Sequence, residues 1–143
     1  MGAWGITTFE SDAGLDFLGN MAENSNPKDS IEKALEGVIC FTSFCSEVEA
    51  LAEIIANAYG KMKYDKKSPN ELEMSKVMKY VKGLESDKAY FVKTLGTLHY
   101  ALNIINRFDC VAWKEELLEE RKQYIAKLSG AIEEVINEVK NQC

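Results

Sequence analysis

Carboxylates at helical spacing are the first feature of this chain that could support chemistry. Glu10, Asp12 and Asp16 occur close together, and Asp12 and Asp16 are one helical turn apart, on one face of a helix. Such carboxylates can bind a cation, transfer protons, or receive Arg and Lys side chains from a partner. Capping explains two of them more simply, since Asp12 suits a helix start and Glu10 favours its positive end. Asp16 is not explained by capping and is available to pair with a basic residue.

The other residues that could form a catalytic or metal site are few. His99 is the one histidine, and Leu98 and Tyr100 flank it in the most apolar predicted helix. Four residues separate Cys40 from Cys45, which is not the two-residue spacing of zinc knuckles. The chain has neither the Glu-x-x-His signature of di-iron bundles nor a phosphate-binding glycine loop. We therefore expect no catalytic residue, no metal and no cofactor; the alternative is a small hydrolase in which His99 acts with a cysteine or a carboxylate.

Composition indicates one domain that spans residues 1–143. The chain is 46% hydrophobic and 28% charged, has two prolines, and is long enough to bury a core. No apolar stretch approaches the roughly 20 residues that cross a bilayer, and no signal-peptide pattern begins the chain. The four cysteines are irregularly spaced, which favours free thiols in a reducing compartment. We expect a cytoplasmic protein with no membrane partner.

Charge is distributed unevenly along the chain. Residues 1–60 carry ten acidic and two basic side chains, whereas residues 61–143 carry a net charge of +2. An acidic half repels the phosphates of nucleic acid and attracts a basic protein. Glu49 and Glu53 are one turn apart and opposite the apolar stripe Val48–Leu51–Ile55. We predict an exposed partner-binding surface formed by acidic residues of this half: Glu10, Asp12, Asp16, Glu49 and Glu53.

Apolar residues recur at helical spacing through the first half of the chain. A first helix begins at Ser11 or Asp12, and Pro27 suits the first position of the second helix. The motif Ser46-x-x-Glu49 is a capping box that predicts the start of a third helix. Gly60 is suited to end that helix.

The second half also predicts helices only. Capping signals at Ser68 and Ser86 precede two more apolar repeats. A long helix follows from about Asp109 to Asn141, with apolar residues every seven positions at Leu118, Ile125, Ile132 and Val139. Arg121 interrupts the second heptad position, which favours packing inside the domain over a coiled-coil dimer. The prediction is an all-α bundle of five or six helices with a long C-terminal helix, as a monomer or weak dimer.

The N-terminal block carries a motif that resembles a known family. Trp4 and Phe9 are suited to anchor an extended N-terminus on the fold. The motif residues are Met1, Gly2, Trp4, Gly5, Phe9, Glu10, Asp12, Asp16 and Phe17. This block resembles a bacterial domain family of unknown function, from which it departs at Thr7 and Gly14. The resemblance implies a small bacterial cytoplasmic protein and brings no established activity.

These observations predict a non-enzymatic helical interaction protein. Toxin-neutralising immunity proteins are small, soluble and frequently acidic, and they block a basic toxin surface by charge complementarity. A chain with few catalytic groups and an acidic half fits that role. The predicted partner is therefore a basic toxin domain, and the chain would be its inhibitor.

Overall fold

The described part of the chain consists of helices. A computed structural model describes residues 12–23, 26–40, 45–62, 71–108 and 115–141. Its elements are α1 (Asp12–Glu23), α2 (Pro27–Cys40), α3 (Cys45–Ala58), α4 (Glu71–Gly83), α5 (Lys88–Phe108) and α6 (Glu115–Lys140), with a 3-10 turn at Leu84–Asp87 between α4 and α5. No described residue belongs to a strand. The predicted all-α bundle with a long last helix is confirmed.

The helix α3 lies at the centre of the bundle. It contacts α1, α2, α4, α5 and α6, and every side chain from Val48 to Ala56 is buried. Burial on all sides is typical of a helix that other helices surround. The predicted stripe Val48–Leu51–Ile55 is confirmed as part of the core. The opposite side of α3 faces protein as well.

The C-terminus of α3 has the predicted glycine cap. Gly60 has a φ of 71°, in the left-handed region that favours glycine. The Lys61 amide donates to the Ala56 carbonyl at 2.8 Å, and the Gly60 amide donates to the Asn57 carbonyl at 3.1 Å. These two hydrogen bonds form a Schellman motif, which satisfies carbonyls that the end of a helix leaves free.

The predicted capping box of α3 is wrong. The helix begins at Cys45, so Ser46 is already helical. The carboxylate of Glu49 pairs with Arg121 on α6 and does not return to the start of its own helix. A tertiary contact has therefore taken the side chain that the local motif assigned to a cap.

The start of α5 is also capped differently from the prediction. The Oδ1 atom of Asp87 accepts a hydrogen bond from the Tyr90 amide at 3.4 Å, as an N-cap residue does. The Ser86 hydroxyl donates instead to the Gly83 carbonyl at 2.9 Å, within the 3-10 turn. The cap lies one residue later than predicted because this turn continues through Asp87.

The long helix α6 packs along α5 and α3. At about 1.5 Å per residue, its 26 residues span roughly 39 Å. The heptad residues that the structure describes are buried in the core of a single chain: Ile125, Leu128, Ile132, Val135 and Val139. Packing inside the domain is thus confirmed as the role of this repeat.

Some predicted features fall outside the described residues. They are the N-terminal block with Trp4 and Phe9, the capping box at Ser68, and residues 109–114 of the predicted long helix. Among the helices that the structure describes, none combines the length and apolar character required to cross a bilayer.

Candidate functional site

Four polar side chains are buried between α3 and α6. Glu49 and Glu53 lie one turn apart on α3, while Arg121 and Tyr124 lie nearly one turn apart on α6. The exposed fraction is 2% for Glu49 and 7% for Arg121. Charged residues are almost never buried to this extent unless they are paired. We call these four residues the α3–α6 network.

Each carboxylate of the α3–α6 network receives a hydrogen bond from α6. An Nη2 atom of Arg121 donates to Oε2 of Glu49, which forms a buried ion pair. The Tyr124 hydroxyl donates to Oε1 of Glu53 at 2.6 Å. The guanidinium carbon of Arg121 lies 5.6 Å from the centre of the Tyr124 ring, within cation–π range. The network therefore meets the requirement that buried polar groups be hydrogen-bonded.

Burial raises the pKa of Glu49 above its ordinary value of 4.5. The hydrogen bond and the positive charge of Arg121 lower this pKa, but desolvation is the larger effect. Two buried charges each lose their hydration, and their attraction offsets that loss only partly. The pair is therefore a weak source of net stability, but losing either partner would be costly.

The structure contradicts the predicted exposure of Glu49 and Glu53. Because α3 is surrounded by helices, the side opposite its apolar stripe faces α6. Side chains that are buried in this way do not form an exposed contact for a partner. The sequence contained a signal for this arrangement, since Arg121 interrupts the heptad pattern of α6. A charge at a core-facing position needs an opposite charge in the core.

The other predicted acidic residues are only partly described. Asp16 is exposed on α1, on the same side as Asn20 and Glu23. It forms no ion pair with another described residue, so it does not neutralise a basic group inside this part of the fold. Asp12 is the first residue of α1. Its side chain and the whole of Glu10 lie outside the described residues.

The exposed acidic side chains of the first two helices remain available to a partner. Asp29 on α2 pairs with Lys33 at 3.5 Å, and Lys28 lies 4.1 Å from the centre of the Tyr90 ring. Four further exposed carboxylates form no ion pair within the described residues: Asp16 and Glu23 on α1, and Glu32 and Glu36 on α2. We call these four residues the α1–α2 carboxylates.

His99 lies at the contact between α5 and α6. Its Nε2 atom is 3.8 Å from Oε2 of Glu133, and the His99 side chain is 32% exposed. The hydrolase hypothesis places either a cysteine or a carboxylate beside His99, and Glu133 is such a carboxylate. Nearby, the Ser129 hydroxyl donates to Oδ1 of Asn103 at 3.1 Å. The cysteine side chains lie outside the described residues, so the structure assigns no thiol to His99.

The described side chains do not form a metal site. Among them, no group of three or more His, Cys, Asp or Glu residues is placed to hold an ion. In the α3–α6 network, donors from Arg121 and Tyr124 hydrogen-bond the carboxylate oxygens that a cation would need.

Comparison with known proteins identifies a family that the chain matches over most of its length. A family model described as a domain of unknown function (DUF4259) matches residues 2–140. No curated protein and no solved structure matches the chain. The family match includes all six helices.

Proposed function

The chain belongs to the DUF4259 family, whose function is unknown, and we propose that it is a non-enzymatic module that binds a basic protein partner. The contact surface in this proposal is the α1–α2 carboxylates. It excludes Glu49 and Glu53, because their carboxylates are bound by α6. The observation that carries the proposal is the exposure of four carboxylates that have no ion pair within the described residues.

The charge of α1 and α2 is not balanced within these helices. Lys28 and Lys33 are their only basic residues. Lys33 pairs with Asp29, and Lys28 lies over the Tyr90 ring. The α1–α2 carboxylates therefore produce a negative potential that extends into solvent. Such a potential steers a positively charged protein toward the surface and raises the association rate.

The partner that fits this surface is a basic toxin domain. A toxin that acts on nucleic acid needs a positive surface to bind phosphates, and a small acidic protein that covers this surface prevents substrate binding. We infer that the chain is a toxin-neutralising immunity protein of a bacterial competition system and acts in the cytoplasm. Its acidic, helical character supports this function.

Co-expression with the product of the adjacent reading frame tests the proposal. The chain should suppress the toxicity of that product and bind it in a salt-sensitive manner, since exposed charges are screened by salt. A toxin that remains fully active in the presence of the chain would contradict the immunity function.

Charge neutralisation tests the surface itself. The test variant converts the α1–α2 carboxylates to amides: D16N/E23Q/E32Q/E36Q. Its association with the toxin should be slower by about tenfold or more, with a smaller change in dissociation. A matched control neutralises four exposed glutamates of α6: E119Q/E120Q/E133Q/E134Q. If the control slows association equally, overall charge and not the α1–α2 surface drives binding.

The contact between His99 and Glu133 is the observation that favours a second function, that of a small hydrolase. The variant H99A distinguishes the two functions, because a hydrolase that uses His99 as a base should lose its activity. Toxin binding should be unchanged in this variant, since His99 contacts Glu133 on α6 and forms no ion pair with an α1–α2 carboxylate. An H99A variant that no longer neutralises the toxin would contradict the proposed surface.

A further inference from the structure

The outward face of α4 is basic although the chain is acidic. Lys76, Lys79 and Lys82 are exposed and recur every three residues, which places them within an arc of about 120° on one side of the helix. Ser75 and the 87% exposed Leu72 lie on the same side. We call the three lysines the α4 lysine row.

Two lysines of this row have no partner within the described residues. Lys82 lies 3.6 Å from Oε1 of Glu85 and 4.1 Å from the centre of the Tyr59 ring. Lys76 and Lys79 form no ion pair in the part of the chain that the structure describes. Their charges are therefore directed to solvent and are open to an acidic surface.

The outward face of α2 has the opposite charge and a similar length. Asp29, Glu32 and Glu36 are exposed at spacings of three and four residues, which places them on one side of α2. Lys33 lies on the same side and pairs with Asp29 at 3.5 Å, so the face is acidic in sum and its unpaired charges are Glu32 and Glu36. The distance along the helix axis is about 10 Å from the first to the last carboxylate, against about 9 Å for the α4 lysine row. The two faces are complementary in both sign and extent.

The helices that carry these faces meet at Tyr80 of α4, which lies near Lys28 and Glu32 of α2. The pKa of Tyr80 on α4 is raised by burial and lowered by a hydrogen bond from the backbone of Lys28 on α2. The charge of Glu32 raises the pKa of both Tyr80 and Tyr90. Complementary faces on one molecule are suited to a two-fold dimer, because each copy supplies both halves of the contact.

We propose that two copies of the chain associate through these faces. Lys76 and Lys79 of each copy lie against Glu32 and Glu36 of the other copy. Each exposed ion pair contributes little, and two chains of net charge −6 repel each other at long range. The dimer is therefore weak and forms at high protein concentration. It requires no partner other than the chain itself.

Sedimentation equilibrium tests the dimer. The weight-average mass of the wild type should rise from 16.1 kDa toward twice that value as the concentration increases. The variants K76E/K79E and E32K/E36K each place like charges at both contacts, and each should weaken association by about tenfold or more. A wild type that stays at 16.1 kDa at about 1 mM would overturn the proposal.

Mixing the two charge-reversed variants is the decisive measurement. In the mixture, the acidic α4 of K76E/K79E meets the basic α2 of E32K/E36K, and the second contact pairs the two native faces. The mixture should therefore regain a mass near that of the wild type at equal concentration. A mixture that remains monomeric would overturn the proposal, because it excludes pairing between α2 and α4.

A control variant separates local charge from net charge. K122E/K127E changes two exposed lysines on α6 and alters the net charge by the same amount as K76E/K79E. It should associate like the wild type, and an equal loss of association would overturn the proposal. The variant K76E/K79E retains all α1–α2 carboxylates, so it should still bind the basic toxin. Loss of dimer formation with retained toxin binding therefore concerns the dimer alone, whereas loss of toxin binding by the wild type concerns the proposed function.

Discussion

Two pairs of glutamates in the acidic half of the chain have the same spacing and opposite surroundings. Glu32 and Glu36 are exposed on α2, whereas Glu49 and Glu53 are buried on α3. The outer face of α2 meets solvent, but α3 is enclosed by five helices. Spacing places two carboxylates on one side of a helix, and the position of that helix in the fold decides whether this side meets water.

Removal of the buried cation should have the largest effect on stability. The variant R121M leaves Glu49 in the core without its ion-pair partner, which should lower the free energy of unfolding by about 3–5 kcal/mol. Urea denaturation measures this change. The control K122M replaces the next residue, which is exposed, and should change stability by less than about 0.5 kcal/mol.

The double variant E49M/R121M sharpens this test. Because it removes both charges and keeps apolar volume, it should be more stable than R121M and recover much of the loss. A double variant no more stable than R121M would show that the pair itself, and not the stranded carboxylate, accounts for the loss.

Removal of the Tyr124 hydroxyl should have an intermediate effect. The variant Y124F loses the 2.6 Å hydrogen bond to Glu53, and the free energy of unfolding should fall by about 1–3 kcal/mol. The matched control Y100F changes an exposed tyrosine and should be neutral within about 0.5 kcal/mol. Equal effects of the two substitutions would contradict a specific role for the buried hydroxyl.

The pH dependence of stability should distinguish the buried from the exposed glutamates. Burial raises the pKa of Glu49 in the folded chain above 4.5, so the folded state binds this proton more tightly than the unfolded state. The stabilising contribution of this group is complete below pH 4.5 and is lost as the pH rises through the raised value. The stability of the wild type relative to E49Q should therefore decrease as the pH increases from 4.5.

Urea denaturation of the wild type and E49Q at pH values from 4.5 upward measures this difference in stability, and E36Q serves as the control. Glu36 is exposed, and E36Q should show no comparable trend. A stability difference between wild type and E49Q that grows with pH would mean that Arg121 outweighs burial and lowers the pKa of Glu49.

Neutralisation of the exposed pair should have the smallest effect on stability. The variant E32Q/E36Q changes two solvated side chains and should shift the free energy of unfolding by less than about 0.5 kcal/mol for each substitution. Its circular dichroism spectrum should match that of the wild type. A loss as large as that of R121M would show that α2 depends on these charges for its packing.

Local and repetitive features of this fold were predictable from the sequence. The heptad residues of α6 and the glycine cap at Gly60 depend on neighbours along the chain, and both are confirmed. The burial of Glu49 depends on which helix packs beside α3, and no local pattern contains that information. The interruption of the apolar repeat at Arg121 indicates that an opposite charge lies in the core, but it does not say which helix carries that charge.

The position of Arg121 gives α6 a defined register along its axis. Its apolar residues repeat every seven positions, so many of them would still face the core after a shift by one repeat. The same shift would move Arg121 about 10.5 Å along the helix axis, out of reach of Glu49. Glu49 would then be buried without its partner, which is strongly unfavourable. One ion pair thus selects a single alignment among several that the apolar repeat alone would permit.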